Sequence, residues 1–278
     1  MYKSIRILRI FIAILALAVP TWALIAGYDS VFVRMQIFTA FLTGVAATLV
    51  FWAAVTLIYG RIYCSTLCPL GTCMDGMSWI SRFVMRTSRN YRYRATPGAI
   101  RFISLIAALV LMFIGTGILP TLLDPYTAYA RMVTEFVMRP LGLESPSVCF
   151  GISAFAAAAA TALAIVAVAP KRGRLLCNSV CPVGILLGIG SSKAVFHAEI
   201  DPDKCINCGL CEQNCKSECI DSKMHTIDYQ RCVVCFDCMA VCPNGAISYK
   251  TGRNRLSMPM MQSTSASQSQ MNSNETIS

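Results

Sequence analysis

Four apolar segments of this chain are long enough to cross a bilayer as helices, which takes about 20 residues each. They run from Ile10 to Tyr28, Ile37 to Tyr59, Ile100 to Leu119 and Cys149 to Ala169. A chain built this way cannot leave those segments in water. The composition agrees, with 55% hydrophobic residues, 14% charged residues and a mean hydropathy of +0.57. The fourth segment is alanine-rich from Ala154 to Ala160, which suits close helix packing. Pro20 is expected to kink the first. A cleaved signal peptide is the rival reading of that first segment, but no small-x-small site follows it.

The arginines set the expected orientation. Arg61, Arg82, Arg86, Arg89, Arg92 and Arg94 follow the second segment, and Lys171, Arg172 and Arg174 follow the fourth. The loop after the first segment holds only Arg34, and the loop after the third mixes Arg131 and Arg139 with Asp124, Glu135 and Glu144. The positive-inside rule then places both termini and the middle loop on the cytoplasmic side. The net charge of +10 is read as topology, because no basic face with interleaved aromatics points to nucleic acid.

Fifteen cysteines need a chemical reason, and most fall at C-x2-C or C-x3-C spacing. Such spacing suits thiolates converging on a metal better than disulfides, and predicts a reducing compartment. The densest run is Cys205-x2-Cys208-x2-Cys211-x3-Cys215, then Cys232-x2-Cys235-x2-Cys238-x3-Cys242-Pro243. A tight loop with cysteines at every third position points successive thiolates inward. A zinc module is the alternative, since C-x2-C pairs also hold that ion.

This run resembles the bacterial-type ferredoxin domain. The resemblance implies one [4Fe–4S] cluster on Cys205, Cys208, Cys211 and Cys242, and a second on Cys232, Cys235, Cys238 and Cys215. Two departures stand out: Lys216 sits where the first motif usually has proline, and Cys219 lies four residues after Cys215, where it could replace it.

A second signal is an internal repeat. Arg61-x2-Cys64-x3-Cys68-Pro69-x-Gly71 matches Arg174-x2-Cys177-x3-Cys181-Pro182-x-Gly184, and each copy follows a pair of apolar segments. Parallel repeats would bring both copies to one membrane face. On a helix, a spacing of four would put each pair of thiols on one side. Cys64, Cys68, Cys177 and Cys181 then form either a further redox site or inert packing.

The whole layout resembles the membrane quinol dehydrogenase component of periplasmic nitrate reductase systems, the NapH type. The membrane part of the nitrous oxide reductase regulator and the cytochrome oxidase accessory ferredoxins share the plan. What the resemblance implies is electron transfer between quinol and a partner redox protein at a bacterial inner membrane, with quinone as exchangeable substrate. A maturation factor that reduces a metal or disulfide for another enzyme is the second reading. The expected fold is thus a four-helix transmembrane domain over residues 1–193, made of two repeated helix pairs. A small α+β ferredoxin domain over 198–250 and a disordered tail over 255–278 complete it.

The remaining candidates read more plainly. Cys73 reads as a spare thiol, with a ligand role as the alternative, and Cys149 as packing; His197 and His225 lie outside the spans, which excludes a bis-histidine haem in the membrane. Asp124-Pro125-Tyr126 reads as a loop cap with nearby interfacial tyrosines, or as a contact for quinol or a partner. No charged group sits at a span centre, so no proton path is offered. Hydrolase triads, phosphate-cradling loops and dinucleotide fingerprints are absent from the sequence.

Overall fold

The computed structural model describes residues 2–27, 36–37, 46–85, 91–94, 98–113, 124–142 and 152–251. Residues 38–45 of the second apolar segment, the end of the third, the start of the fourth with Cys149, and the tail from 252 lie outside the described residues. The helices are α1 (Tyr2–Ala26), α2 (Ala46–Tyr59), α3 (Ile62–Thr66), α4 (Pro69–Met85), α5 (Gly98–Phe113), α6 (Pro125–Val133), α7 (Ile152–Arg172), α8 (Leu175–Ser179) and α9 (Pro182–Ser191). Beyond them come β1 (Phe196–Ile200), α10 (Leu210–Gln213), β2 (Ile220–Asp221), β3 (Thr226–Ile227), α11 (Asp237–Val241) and β4 (Ile247–Thr251).

Two described helices, Tyr2–Ala26 and Ser153–Arg172, are long and apolar enough to cross a bilayer. Only 28% and 17% of their apolar windows are buried, so most of that surface faces outward, as a lipid-facing helix requires and a soluble core helix does not. Two further apolar helices, Ala46–Tyr59 and Pro182–Ser191, are shorter. α1 continues through Pro20, which is buried.

Inside the helical part, α7 packs on α4 and α6, and α9 packs on α2 and α5. α6 differs from the expected surface loop. Its N-cap is Asp124, whose Oδ2 accepts from the Thr127 amide at 2.7 Å, with Pro125 in the first turn. The capping expectation therefore holds, but the aromatic belt does not. Tyr126 and Tyr129 are buried, and the Tyr129 hydroxyl bonds Thr21 of α1 at 2.5 Å. The segment is folded into the bundle because its own apolar side chains, Val133 and Met138, pack against Leu17 and Leu24.

The cysteine-rich segment is closed by an antiparallel pair, Phe196–Ile200 against Ile247–Thr251, in the register His197↔Lys250 and Ile200↔Ile247. A second small pair joins Ile220 to Ile227. Between them lies an apolar core that includes Ala198, Ile200, Ile220, Ile227, Tyr229, Met239 and Ile247. His197 serves this core, edge-on to the Tyr229 ring at 5.0 Å.

Candidate iron–sulfur site

Each C-x2-C-x2-C loop must turn back on itself so that its thiols point to a common centre, and the backbone shows how. In the first loop Asn207 and Gly209 adopt left-handed conformations (φ 55° and 70°), and in the second Val234 and Phe236 do the same (φ 51° and 59°). These are equivalent positions, one on either side of the middle cysteine. Asn and Gly enter that region cheaply, whereas a β-branched or bulky residue there costs about 1–3 kcal/mol. The second loop is thus held by its surroundings. Val234 is buried, and Phe236 meets the Tyr249 ring edge-on at 5.5 Å.

The winding sorts the thiols into two cavities. Cys205, Cys208, Cys211 and Cys242 line one, against Ile200, Ile206, Pro243 and Ile247. Cys215, Cys232, Cys235 and Cys238 line the other, against Ile220, Ile227, Val233 and Met239. The last cysteine of each run sits with the first three of the other run. Cys219 joins the second cavity as a fifth thiol, with its Sγ 3.4 Å from that of Cys215.

Both cavities fit an iron–sulfur cluster. The donors are soft thiols, the walls are apolar, and the amide of Ala246 donates to Cys242 Sγ at 3.3 Å, as cluster sulfurs are commonly hydrogen-bonded. Thiols spread over the walls of a cavity suit a cluster of several atoms better than one zinc ion. Burial pushes the Cys211 and Cys235 thiols up to about 12, so positive charge at the centre is needed to release their protons.

The two C-x3-C-P copies meet across the structure. Arg61 is fully buried and Arg174 almost so. Arg174 Nη1 donates to the carbonyl of Cys64 at 2.5 Å, and Arg61 Nη2 donates to the carbonyl of Cys177 at 3.5 Å. Gly71 and Gly184 make the approach possible, since a Cβ on either would lie 2.7 or 2.1 Å from the same two carbonyls.

The expectation that each cysteine pair shares one helix needs correcting. Cys64 and Cys177 lie on α3 and α8, but both helices end before the second cysteine, and Pro69 and Pro182 start α4 and α9. A residue before proline is pushed to an extended conformation, and Cys181 has it (φ −70°, ψ 117°). Cys181 thereby caps α9, its Sγ accepting from the Gly184 amide at 3.4 Å, and Cys68 Sγ accepts from the Gly71 amide at 3.5 Å. Cys64, Cys68 and Cys177 are buried and Cys181 half-buried. Burial, reinforced by the neighbouring thiols, pushes Cys68 and Cys181 well up, and Cys177 rises to about 11 despite Arg174 and Arg61 nearby.

Sequence reading missed the ionic seam that joins the two parts. Lys216, buried in the place of the usual proline, bridges Asp75 of α4 at 3.2 Å and Asp237 of α11 at 3.0 Å. Arg174 grips Asp75 through two nitrogens at 3.0 and 2.9 Å, Arg9 lies 3.7 Å away, and Arg6 meets Asp237 at 2.7 Å. Burial alone would raise the Asp75 carboxyl, but Arg174, Lys216 and Arg9 together hold it well below the usual carboxylate range. The signal in the sequence was Lys216 itself, together with acids in otherwise basic surroundings. Cys73, by contrast, lies half-buried against the apolar Tyr129 group.

These features define a ferredoxin-type iron–sulfur protein. Comparison with known families agrees. A family described as 4Fe-4S binding domain matches residues 40–87 and again 154–196, the stretches that hold the two C-x3-C-P copies, and a second profile of the same description matches 198–221. The chain is a homologue of the NapH-type ferredoxin proteins. It is 26% identical over 222 residues to the ferredoxin-type protein NapH of Escherichia coli, covering 77% of this chain and 69% of that one. The methylamine utilization ferredoxin-type protein MauN of Methylorubrum extorquens is 28% identical over 175 residues, 63% of this chain and 53% of that one. An uncharacterized protein of Methanocaldococcus jannaschii is 41% identical over 73 residues, 26% of this chain. The chain spans 29% of that relative's length and about half of MauN's. No solved structure matches.

Proposed function

We propose that this chain is a multi-pass membrane protein that carries two [4Fe–4S] clusters and passes electrons between membrane quinol and a partner redox protein. Cys205, Cys208, Cys211 and Cys242 hold one cluster. Cys215, Cys232, Cys235 and Cys238 hold the other, and Cys219 is a spare thiol. The single observation that carries this reading is the crossed sorting of eight thiols into two apolar cavities. A crossed set ties both runs together, so neither loop can load correctly without the other.

The membrane part of the reading draws on the outward apolar faces of α1 and α7. With two further spans, both termini lie in the cytoplasm, at the inner membrane of a bacterium. Cys64, Cys68, Cys177 and Cys181 form a further redox centre at the same face. The clusters would supply one-electron storage, whereas quinol gives up two electrons and two protons, so neighbouring centres suit the exchange. The chain's own part is to hold these thiols in a dry, cation-lined setting beside the bilayer.

Anaerobic purification in detergent, with iron and sulfide assays and EPR before and after a menaquinol analogue, tests the proposal. Two interacting clusters reduced by the quinol are expected. Zinc without acid-labile sulfide, or clusters that quinol leaves oxidised, would overturn it.

A further inference from the structure

Between α1 and α4 lies a cavity of about 420 Å³, within the range of small-molecule sites. Its mouth is apolar and faces outward, with Ile10, Ile14 and Trp79 at 38%, 55% and 63% exposure. Its inner end is the ionic seam, where Arg9, Asp75 and Lys216 come together. A cavity apolar at the bilayer side and polar at the far side selects an amphiphile, head inward and tail outward.

The floor distinguishes among heads. Arg9 is buried, and its Nη1 serves the Ser65 carbonyl at 3.2 Å and faces Asp75. Its Nε has no hydrogen-bond partner among the described residues, but it is buried and does not open into the cavity. Four cations, Arg6, Arg9, Arg174 and Lys216, share the two carboxylates of Asp75 and Asp237, so the floor keeps an excess of positive charge. Such a floor favours an oxygen that gains negative charge, as a ring carbonyl does on reduction, and the Trp79 indole offers a flat apolar wall beside it. The floor also borders the second thiol cavity, since Lys216 follows Cys215 in the chain and Asp237 precedes Cys238. Gly76 lines the space, and a Cβ there would meet nothing within 4 Å, so a larger side chain can be placed into it.

We infer that this cavity is the binding site for the quinone ring, with a ring carbonyl toward the cationic end at Arg9 and Lys216 and the isoprenoid tail leaving past Ile10 and Ile14. The inference rests on the quinol reading above and adds the place of binding.

The test uses the full chain with its clusters, in phosphatidylcholine nanodiscs, with a photoactivatable short-chain naphthoquinone as probe. Crosslinks are expected within 6–14 and 72–79. Gly76→Leu, which fills the cavity from a helix position with free space around it, should weaken binding by about tenfold or more. The dithionite-reduced EPR signal should stay unchanged, showing that the fold survives. Crosslinks elsewhere, or unaltered affinity in Gly76→Leu, would overturn the assignment. So would phosphatidylglycerol that displaces the probe from the cavity, which would make it a lipid headgroup site. Quinol that still reduces the clusters of Gly76→Leu at the wild-type rate refutes the site and leaves the relay standing. A labelled cavity beside clusters that quinol cannot reduce refutes the relay and leaves the site.

Discussion

Arg174, from the second C-x3-C-P copy, donates to the carbonyl of Cys64 in the first at 2.5 Å while its other two nitrogens clasp Asp75. Arg61 returns the contact to Cys177 and goes on to Asn178 Oδ1 at 2.8 Å and the Gln230 carbonyl at 2.9 Å. Two equivalent arginines thus stitch the repeat to itself, and each also reaches into the neighbouring structure.

Because Arg174 is almost wholly buried and all three of its nitrogens are used, no other side chain can replace it. Arg174→Ala should cost about 3–5 kcal/mol, the range for breaking a buried pair. Arg174→Lys should rescue little, since an ammonium cannot hold a carboxylate through two nitrogens and a carbonyl at once. Denaturant unfolding of the purified protein under argon checks both, and a lysine variant as stable as wild type would count against this role.

Acid should weaken the seam in a defined direction. The folded Asp75 carboxyl lies below its unfolded value of about 3.9, so its stabilisation is fully present above that value and is lost as pH falls through the folded pKa. The stability gap between wild type and Asp75→Asn should therefore be constant from neutral pH down to about 4.5 and shrink below about 4. Urea titrations at a series of pH values measure it. A gap that grew on acidification would contradict the arrangement.

Gly173 has φ +52°, and a Cβ there would lie 2.3 Å from the Lys216 carbonyl, which accepts from the Arg174 amide at 2.8 Å. Gly173→Ala should destabilise by about 2 kcal/mol or more, from the left-handed backbone and the collision together. Hydrogen exchange should then rise around Lys216 and Ser217. Gly76→Ala, in open space on α4, serves as the contrast and should leave exchange there unchanged.

Cys215 and Cys219 compete for one place, and the proposal assigns it to Cys215. In Cys219→Ser, iron and sulfide content should match wild type. In Cys215→Ser, one cluster should be lost and the interaction seen by EPR should vanish. The reverse pattern would exchange their roles.

The sequence made much of this visible. Cysteines at every third position implied inward-pointing loops, and the repeated R-x2-C-x3-C-P-x-G pointed to two equivalent copies. What it hid depends on distant groups. Arg61 and Arg174 read as surface charge marking the cytoplasmic side, yet they are buried donors, because their carbonyl partners lie more than a hundred residues away. Lys216 read as a departure from a motif, and only Asp75 and Asp237 on either side explain it. Pro69 and Pro182 were in plain view. Their effect on the preceding cysteine, which ends one helix and caps the next, is local chemistry that a simple count of helical spacing overlooks.

The seam through Lys216, together with Tyr249 Oη donating to the Tyr59 carbonyl at 2.7 Å, fastens the cysteine-rich segment from both flanks. A carrier that shuttles on a tether needs a weak latch, and two shared carboxylates in a buried ionic lattice are not one. Exposed Cys208 marks where the cysteine-rich segment opens to solvent. A segment fastened on both flanks is held against the helical part and is not built to swing out.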